Sequence, residues 1–187
     1  MIVFIRHGAT AGNLEKKYIG ITDEPLCPQG KKYLQEHLSL FPPVTQLLVS
    51  PMRRCQETAA ILYPELDQIL VPGFRECNFG SFEGKTYEML KQEPEYIHWL
   101  ETGGESPFPG GESRSEFIRR CTRAFLQMVP QLQKDTAIVA HGGTLMALLS
   151  SLGEGNFYDW HTQNGNGFQA KFDGQHFFNI HPLSVIG

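Results

Sequence analysis

Arg6, His7 and Gly8 follow directly on the apolar run Ile2–Ile5, and His141, Gly142 and Gly143 follow on a second run, Thr136–Ala140. A third run, Leu47–Val49, opens into Ser50, Pro51, Met52, Arg53 and Arg54. A neutral imidazole is a competent nucleophile toward phosphorus once a neighbour fixes its tautomer and the substrate's negative charge is met. Arginine grips phosphate oxygens through a planar fork. A second histidine, or glycine amides at a helix start, can stabilise the oxygens of the group in transfer. An acid for the leaving alcohol is still needed, and Glu76 and Glu83, in GFRECNFGSFEG, are the candidates. Taken alone, His7 reads as a buried structural histidine and RHGA as a strand running out into a loop. His7 and His141 also leave a metal site chemically open, although no third ligand stands at a recognisable spacing.

Bringing these groups together is the work of the intervening elements. Ile2–Ile5, Leu47–Val49 and Thr136–Ala140 are unbroken β-favouring runs, the pattern of strands buried on both faces. Between the first two, Gln29–Leu40 carries Tyr33, Leu34 and Leu38 at helical spacing, with Pro28 in its first turn and Pro42 and Pro43 beyond its end. Strand, crossover helix, strand implies an α/β fold with a mostly parallel sheet. In such sheets ligands bind at the carboxyl ends of the strands, where the histidines and arginines fall.

A second helix is predicted over Ser113–Val129, where Phe117, Cys121, Ala124, Phe125 and Met128 form one stripe and Ser113 with Glu116 forms a capping box. Glu112 and Ser113 read as its capping residues. A third helix should start near Thr144, and Phe168–Phe172 with His176–Ile180 reads as a hairpin about Asp173-Gly174. Its exposed edge leaves a homodimer contact open. Residues 72–111, with short helices over Thr86–Lys91 and Pro94–Glu101, should form a lobe over the sheet, with Tyr87, Tyr96 and Trp99 in its core.

The chain of 187 residues suits one domain, spanning 1–187, and long enough to bury roughly 70% of its unfolded surface. With 41% hydrophobic and 19% charged residues it has the composition of a globular protein. No run reaches the ~18 apolar residues of a membrane span, and a cytoplasmic location is expected. The net charge of −4, with no basic run, argues against nucleic acid as a partner. Cys27, Cys55, Cys77 and Cys121 lack C-x-x-C spacing and read as buried thiols.

RHGAT-x-x-N at Arg6–Asn13, GITDEPL at Gly20–Leu26, SPMRRCQETA at Ser50–Ala59, FRECNFGSFEGKT at Phe74–Thr86, PGGES at Pro109–Ser113 and AHGG at Ala140–Gly143 together resemble the histidine phosphatase superfamily, in the branch with cofactor-dependent phosphoglycerate mutases. That resemblance spans nearly the whole chain. It implies a three-layer α/β/α sandwich of the phosphoglycerate mutase type, with His7 phosphorylated and Arg6, Arg54 and His141 around the phosphoryl group. Glu76 stands in the place of the family's acid and base; Asn13, Gly20 and Gly142 would add substrate contacts. Arg54, not Arg53, aligns with the family arginine. No metal or other cofactor is implied. Ala9 and Gly12 depart from the glutamate and tryptophan that many members carry, and changed packing is expected there.

The implied substrate is a small-molecule phosphate ester. GITDEPL and FRECNFGSFEGKTYEML look most like the α-ribazole phosphatases of cobalamin biosynthesis. A broad-specificity sugar-phosphate or nucleotide phosphatase, a mutase and a non-catalytic phosphate-binding protein are the alternatives. The region that closes over substrate in mutases is shorter here, which favours hydrolysis.

Overall fold

The computed structural model describes residues 1–184. Strands β1 (Ile2–Arg6), β2 (Gln46–Val49), β3 (Gln68–Leu70), β4 (Thr136–Ala140), β5 (Gly167–Phe172) and β6 (Phe177–Pro182) form one sheet in the order β3-β2-β4-β1-β5-β6. The pairs β3–β2, β2–β4 and β4–β1 are parallel, whereas β1–β5 and β5–β6 are antiparallel. Helices α1 (Ala11–Leu14), α2 (Pro28–Glu36), α3 (Arg53–Leu62), α4 (Tyr87–Leu90), α5 (Pro94–Glu101), α6 (Arg114–Met128) and α7 (Gly142–Leu152) complete the chain.

Successive strand residues point to opposite faces, so β1 sends Ile2 and Phe4 to one side and Val3 and Ile5 to the other. Ile2 and Phe4 join Phe117, Cys121 and Phe125 of α6 and Leu145, Leu148 and Leu149 of α7 in one core. Val3 and Ile5 join Leu34 of α2 and Cys55 and Ala59 of α3 in the other. The result is a three-layer α/β/α fold with a mostly parallel sheet. Both cores explain why β1, β2 and β4 are apolar without alternation.

Several boundaries differ from expectation for local reasons. Helix α2 stops at Glu36 and the chain tightens into a 3₁₀ turn at Leu38–Leu40, which leaves Leu38 about half exposed. Helix α7 starts at Gly142, two residues before Thr144, which makes His141 its N-cap. Helix α6 has the expected capping box, with Ser113 Oγ accepting from Glu116 N–H and Glu116 reaching back to Ser113 N–H. The hairpin forms as expected, but β5–β6 carries a register irregularity at Gln169/Lys171 and Asn179 has φ +50°, features that twist an outer strand away from edge-to-edge pairing. All four cysteines are buried free thiols. Among the described residues, no helix is long and apolar enough to cross a membrane.

Candidate active site

The parallel ladder carries His7 one step past β1: its N–H donates to Ala140 O at 2.9 Å, while Gly165 N–H donates to His7 O at 3.0 Å. This fixes the backbone from both sides. The His7 Nδ1 lies 2.7 Å from Gly8 O. A carbonyl only accepts, so Nδ1 holds the proton and Nε2 keeps its lone pair. Burial, with the charges of Arg54 and Arg6, holds the His7 pKa well below the usual imidazole value. His7 is 3% exposed and neutral across the neutral pH range. Gly8 N–H donates to Thr58 Oγ1 at 3.0 Å and Thr58 in turn donates to Arg54 O, which ties this strand end to α3.

His141 lies beside it, the two rings 5.1 Å apart at 68°. Arg54 Nε donates to His141 Nδ1 at 3.2 Å, so the His141 proton is on Nε2, which donates to Ser50 Oγ at 2.8 Å. Burial first, then Arg54, keeps this imidazole neutral too. Arg54 is fully buried. Its Nη1 donates to Thr22 O at 2.7 Å and its Nη2 to Gly20 O at 2.9 Å and Ile19 O at 3.4 Å, so the GITDEPL loop is its cradle.

Arg6 completes the group. Its Nη1 donates to Thr162 O at 2.6 Å, and its Nε is buried without a partner. Neither Arg6 nor Arg54 is paired with a carboxylate within 4.0 Å among the described residues. Buried cations normally come paired, since removal of a charge from water costs several kcal/mol. Two unpaired guanidinium groups beside two neutral imidazoles make a site whose missing partner is an anion.

Glu76 approaches from residues 72–111. Its Oε1 accepts from Cys77 N–H at 2.9 Å and its Oε2 from Gly143 N–H, in the first turn of α7, at 3.2 Å. A Cβ on Gly143 would stand 2.3 Å from Glu76 Oε1, so only glycine allows this approach. Burial pushes the Glu76 carboxyl above the usual carboxylate range, against the opposing pull of those two N–H groups, Arg54 and Arg6. Gly142 lies against the Arg6 guanidinium, and as the first residue of α7 its N–H has no intrahelical partner.

The remaining expected residues fall in different places. Asn13 closes the capping box of α1: its Oδ1 accepts from Thr10 N–H, and also from Asn164 Nδ2, which reaches His7 O as well. Gly20 N–H is taken by Glu83 Oε1 at 2.8 Å, and Gly20 meets the site through its carbonyl on Arg54. Glu83 braces the Gly20–Thr22 loop, and Arg53 is exposed in an ion pair with Glu57. Beside Gly12 there is no room for a larger residue, because a Cβ would stand 2.6 Å from Ile19. Glu112 does not cap α6; it pairs with Arg120. Ser50, Thr58, Asn164 and Arg120 were not singled out in the sequence, and all four hold the site from behind.

A cavity of about 310 Å³ opens onto Arg6, Glu76, Gly142 and Gly143. Its other walls include Tyr18, Phe79, Trp99, Phe108, Phe117, Phe157 and Tyr158, with Met146, Arg114 and His161. Of the aromatic cluster expected in the lobe core, Tyr96 is there at 2% exposure, Tyr87 is on the surface and Trp99 faces this cavity. No group of three or more His, Cys, Asp or Glu among the described residues is placed to hold a metal ion.

A neutral imidazole with a free Nε2, two arginines without carboxylate partners and a buried carboxyl are the groups that phosphoryl transfer to a histidine requires. Residues 2–178 match the family described as the histidine phosphatase superfamily (branch 1). A candidate phosphoserine phosphatase of Hydrogenobacter thermophilus is 32% identical over 186 residues, 93% of this chain and 90% of that protein. The 2,3-bisphosphoglycerate-dependent phosphoglycerate mutase 2 of Gloeobacter violaceus is 30% identical, across 81% of this chain and 75% of that protein. The crystal structure of the α-ribazole phosphatase from Shigella flexneri superposes with a TM-score of 0.83 at 25% identity, covering 99% of this chain and 95% of that one. The chain belongs to the histidine phosphatase superfamily, and it is a phosphoric monoester hydrolase.

Proposed function

We propose that the chain hydrolyses a small-molecule phosphomonoester with a flat, apolar body, through a phosphohistidine at His7. The observation that carries this reading is the pair of buried arginines without carboxylate partners, beside an imidazole whose Nε2 lone pair is free. A phosphate dianion would supply the missing charge. In the first step the Nε2 lone pair of His7 forms a bond to phosphorus, the ester P–O bond breaks, and the leaving oxygen takes the proton of Glu76. Arg6, Arg54 and the amide of Gly142 hold the oxygens of the group in transfer. His141 keeps Arg54 aimed, through Nε to Nδ1. In the second step water gives its proton to the Glu76 carboxylate and attacks phosphorus, and the N–P bond breaks, returning the lone pair to His7. Inorganic phosphate leaves.

In this reading 1–187 is one domain and residues 72–111 are the lobe over the phosphate end. The aromatic walls favour a substrate that carries a ring system. α-Ribazole 5′-phosphate, a benzimidazole riboside phosphate, has that form, and the Shigella flexneri neighbour is named for it. The test is a panel of phosphomonoesters with and without rings, assayed in EDTA, with acid-labile phosphate on the protein followed in parallel. Ring-bearing esters, α-ribazole phosphate among them, should have the highest kcat/KM, and label should appear on His7. Preference for simple sugar phosphates would overturn the substrate class. Turnover with no phosphoprotein would overturn the mechanism.

A further inference from the structure

The sequence offers Glu112 as part of a cap and says nothing of Arg120, yet the two hold the densest polar arrangement around Glu76. Arg120 Nε donates to Glu112 Oε1 at 2.8 Å and Nη2 to Oε2 at 2.7 Å, a fork-to-fork pair. The remaining N–H groups of Arg120 go to backbone: Nη1 to Gly73 O and Arg75 O, each at 3.0 Å, and Nη2 to Glu76 O at 3.2 Å. All five guanidinium donors are therefore used. On the far side, Glu112 Oε2 accepts from Asn78 N–H at 2.9 Å, and Glu112 N–H donates to Asn78 O at 3.0 Å. Residues 75–79 lie outside any helix or strand and cannot satisfy these groups among themselves.

We propose that Glu112 and Arg120 are positioning residues, a clasp that closes on the backbone either side of Glu76 and aims its carboxyl at the leaving oxygen. The contacts at Gly73, Arg75 and Glu76 fix the chain before the carboxyl, and those at Asn78 fix it after. Helix α6, fifteen residues long and packed on α7, is the rigid base. Arg120 also lies over the Phe117 ring at 5.1 Å, and Phe117 abuts Gly143, which holds the other end of Glu76. A paired arginine suits the task better than a lone one. An uncompensated guanidinium so close would favour the ionised carboxyl, whereas Glu112 offsets that charge and leaves Arg120 to act through its hydrogen bonds.

This inference rests on the reading of Glu76 as general acid, and the two can be separated. The experiment measures kcat/KM for a series from p-nitrophenyl phosphate, whose phenolate departs unaided, to benzyl phosphate, whose alkoxide needs a proton. Glu76→Gln should make the dependence on leaving group steep. Arg120→Lys, which keeps the charge and loses the fork, and Glu112→Gln, which keeps an acceptor and loses the charge, should each cost about 10-fold or more on benzyl phosphate and under about 3-fold on p-nitrophenyl phosphate. Equal losses on both esters in a folded variant would reduce the clasp to ordinary scaffolding and overturn the proposal. So would the failure of both variants to fold. If Glu76→Gln itself leaves the dependence flat, the general-acid reading falls and the clasp's role falls with it; a steep Glu76→Gln beside flat clasp variants removes the clasp alone.

Discussion

The two ends of the site are built on different physics. At the phosphate end His7 sits at a strand end, Arg54 and His141 at helix starts and Glu76 in a braced loop, and hydrogen bonds to backbone fix most of them: His7 to Gly8 O, Arg54 to three carbonyls of residues 19–22, Glu76 to two N–H groups. At the aromatic end most of the walls come from loops and short helices, with Phe117 from α6, and they are held by ring-to-ring contacts such as Tyr18–Phe79 at 5.3 Å and Trp99–Phe108 at 5.0 Å. Directional hydrogen bonds preorganise the first end, and apolar contact shapes the second. Chemistry and selectivity should therefore be separable by mutation. Changes at the phosphate end should act without regard to the substrate's ring surface, Glu76 through the leaving group's need for a proton, and changes at the aromatic end should act through KM and in proportion to that ring surface.

The largest effect should follow removal of the nucleophile. His7→Ala should lose about 10⁴-fold or more in kcat on every ester and take up no acid-labile phosphate, with the fold retained. Residual turnover that tracked ring size would blur the division between the ends. Next, Arg54→Lys keeps the charge but cannot span His141 and the carbonyls of Ile19, Gly20 and Thr22, and a loss of about 10²–10³-fold, uniform across the ester panel, is expected. A substrate-dependent loss would show that this loop also selects.

Acid should expose the cost of the phosphate end. His7 and His141 are neutral when folded, with pKa values well below 6.5, so below pH 6.5 the unfolded chain binds protons that the folded chain does not. Stability should fall with pH from there by about 1.4 kcal/mol per unit for each histidine. Glu76 acts with the opposite sign. Its folded pKa is raised above 4.5, so its contribution is lost as pH rises from 4.5 through the folded value. In the interval just below pH 6.5 two histidines act against one carboxyl, and the net slope takes their sign. Denaturant unfolding of His141→Asn should show a shallower slope over that interval; an unchanged slope would place a charged histidine in the folded site.

How far such features could be read in advance depends on how local they are. β1 and β4 were legible because burial on both faces leaves an unbroken apolar run, and α6 because its stripe and capping box lie within one stretch. Helix α3 was not, because Arg54 and Thr58 lie on its buried face and break the apolar period that marks a helix. β3 has three residues, and Ile69 and Leu70 are exposed, so no pattern marks it. Gly20 was placed through its motif, but that its N–H is taken by Glu83, 63 residues on, is a fact of tertiary structure. The clasp spans 34 residues from Asn78 to Glu112 and 44 from Glu76 to Arg120, and the cavity draws on Tyr18, Phe79, Trp99, Phe117 and Tyr158.

The smallest effect tests the aromatic end most directly. Trp99 stacks on Tyr96 at 5.9 Å and meets the tilted ring of Phe108 at 5.0 Å, and its indole Nε1–H is buried without a partner. Trp99→Ala would leave a void in that stack and confuse stability with binding. Trp99→Phe keeps a ring in the wall, removes the donor and cuts the contact area. The buried donor is closed off from solvent, so its removal relieves an unsatisfied group and the change that a substrate meets is the smaller ring face. If ring-bearing esters lie against that face, Trp99→Phe should raise their KM about 5-fold, leave kcat within about 2-fold, and leave the KM of a short alkyl phosphate unmoved. A fall in kcat across the whole panel would mean that the two ends are mechanically coupled, through Phe108 and the chain that leads to Glu112. Unchanged KM for every ester would mean that the substrate's body lies elsewhere along the cavity, against Phe157 and Tyr158.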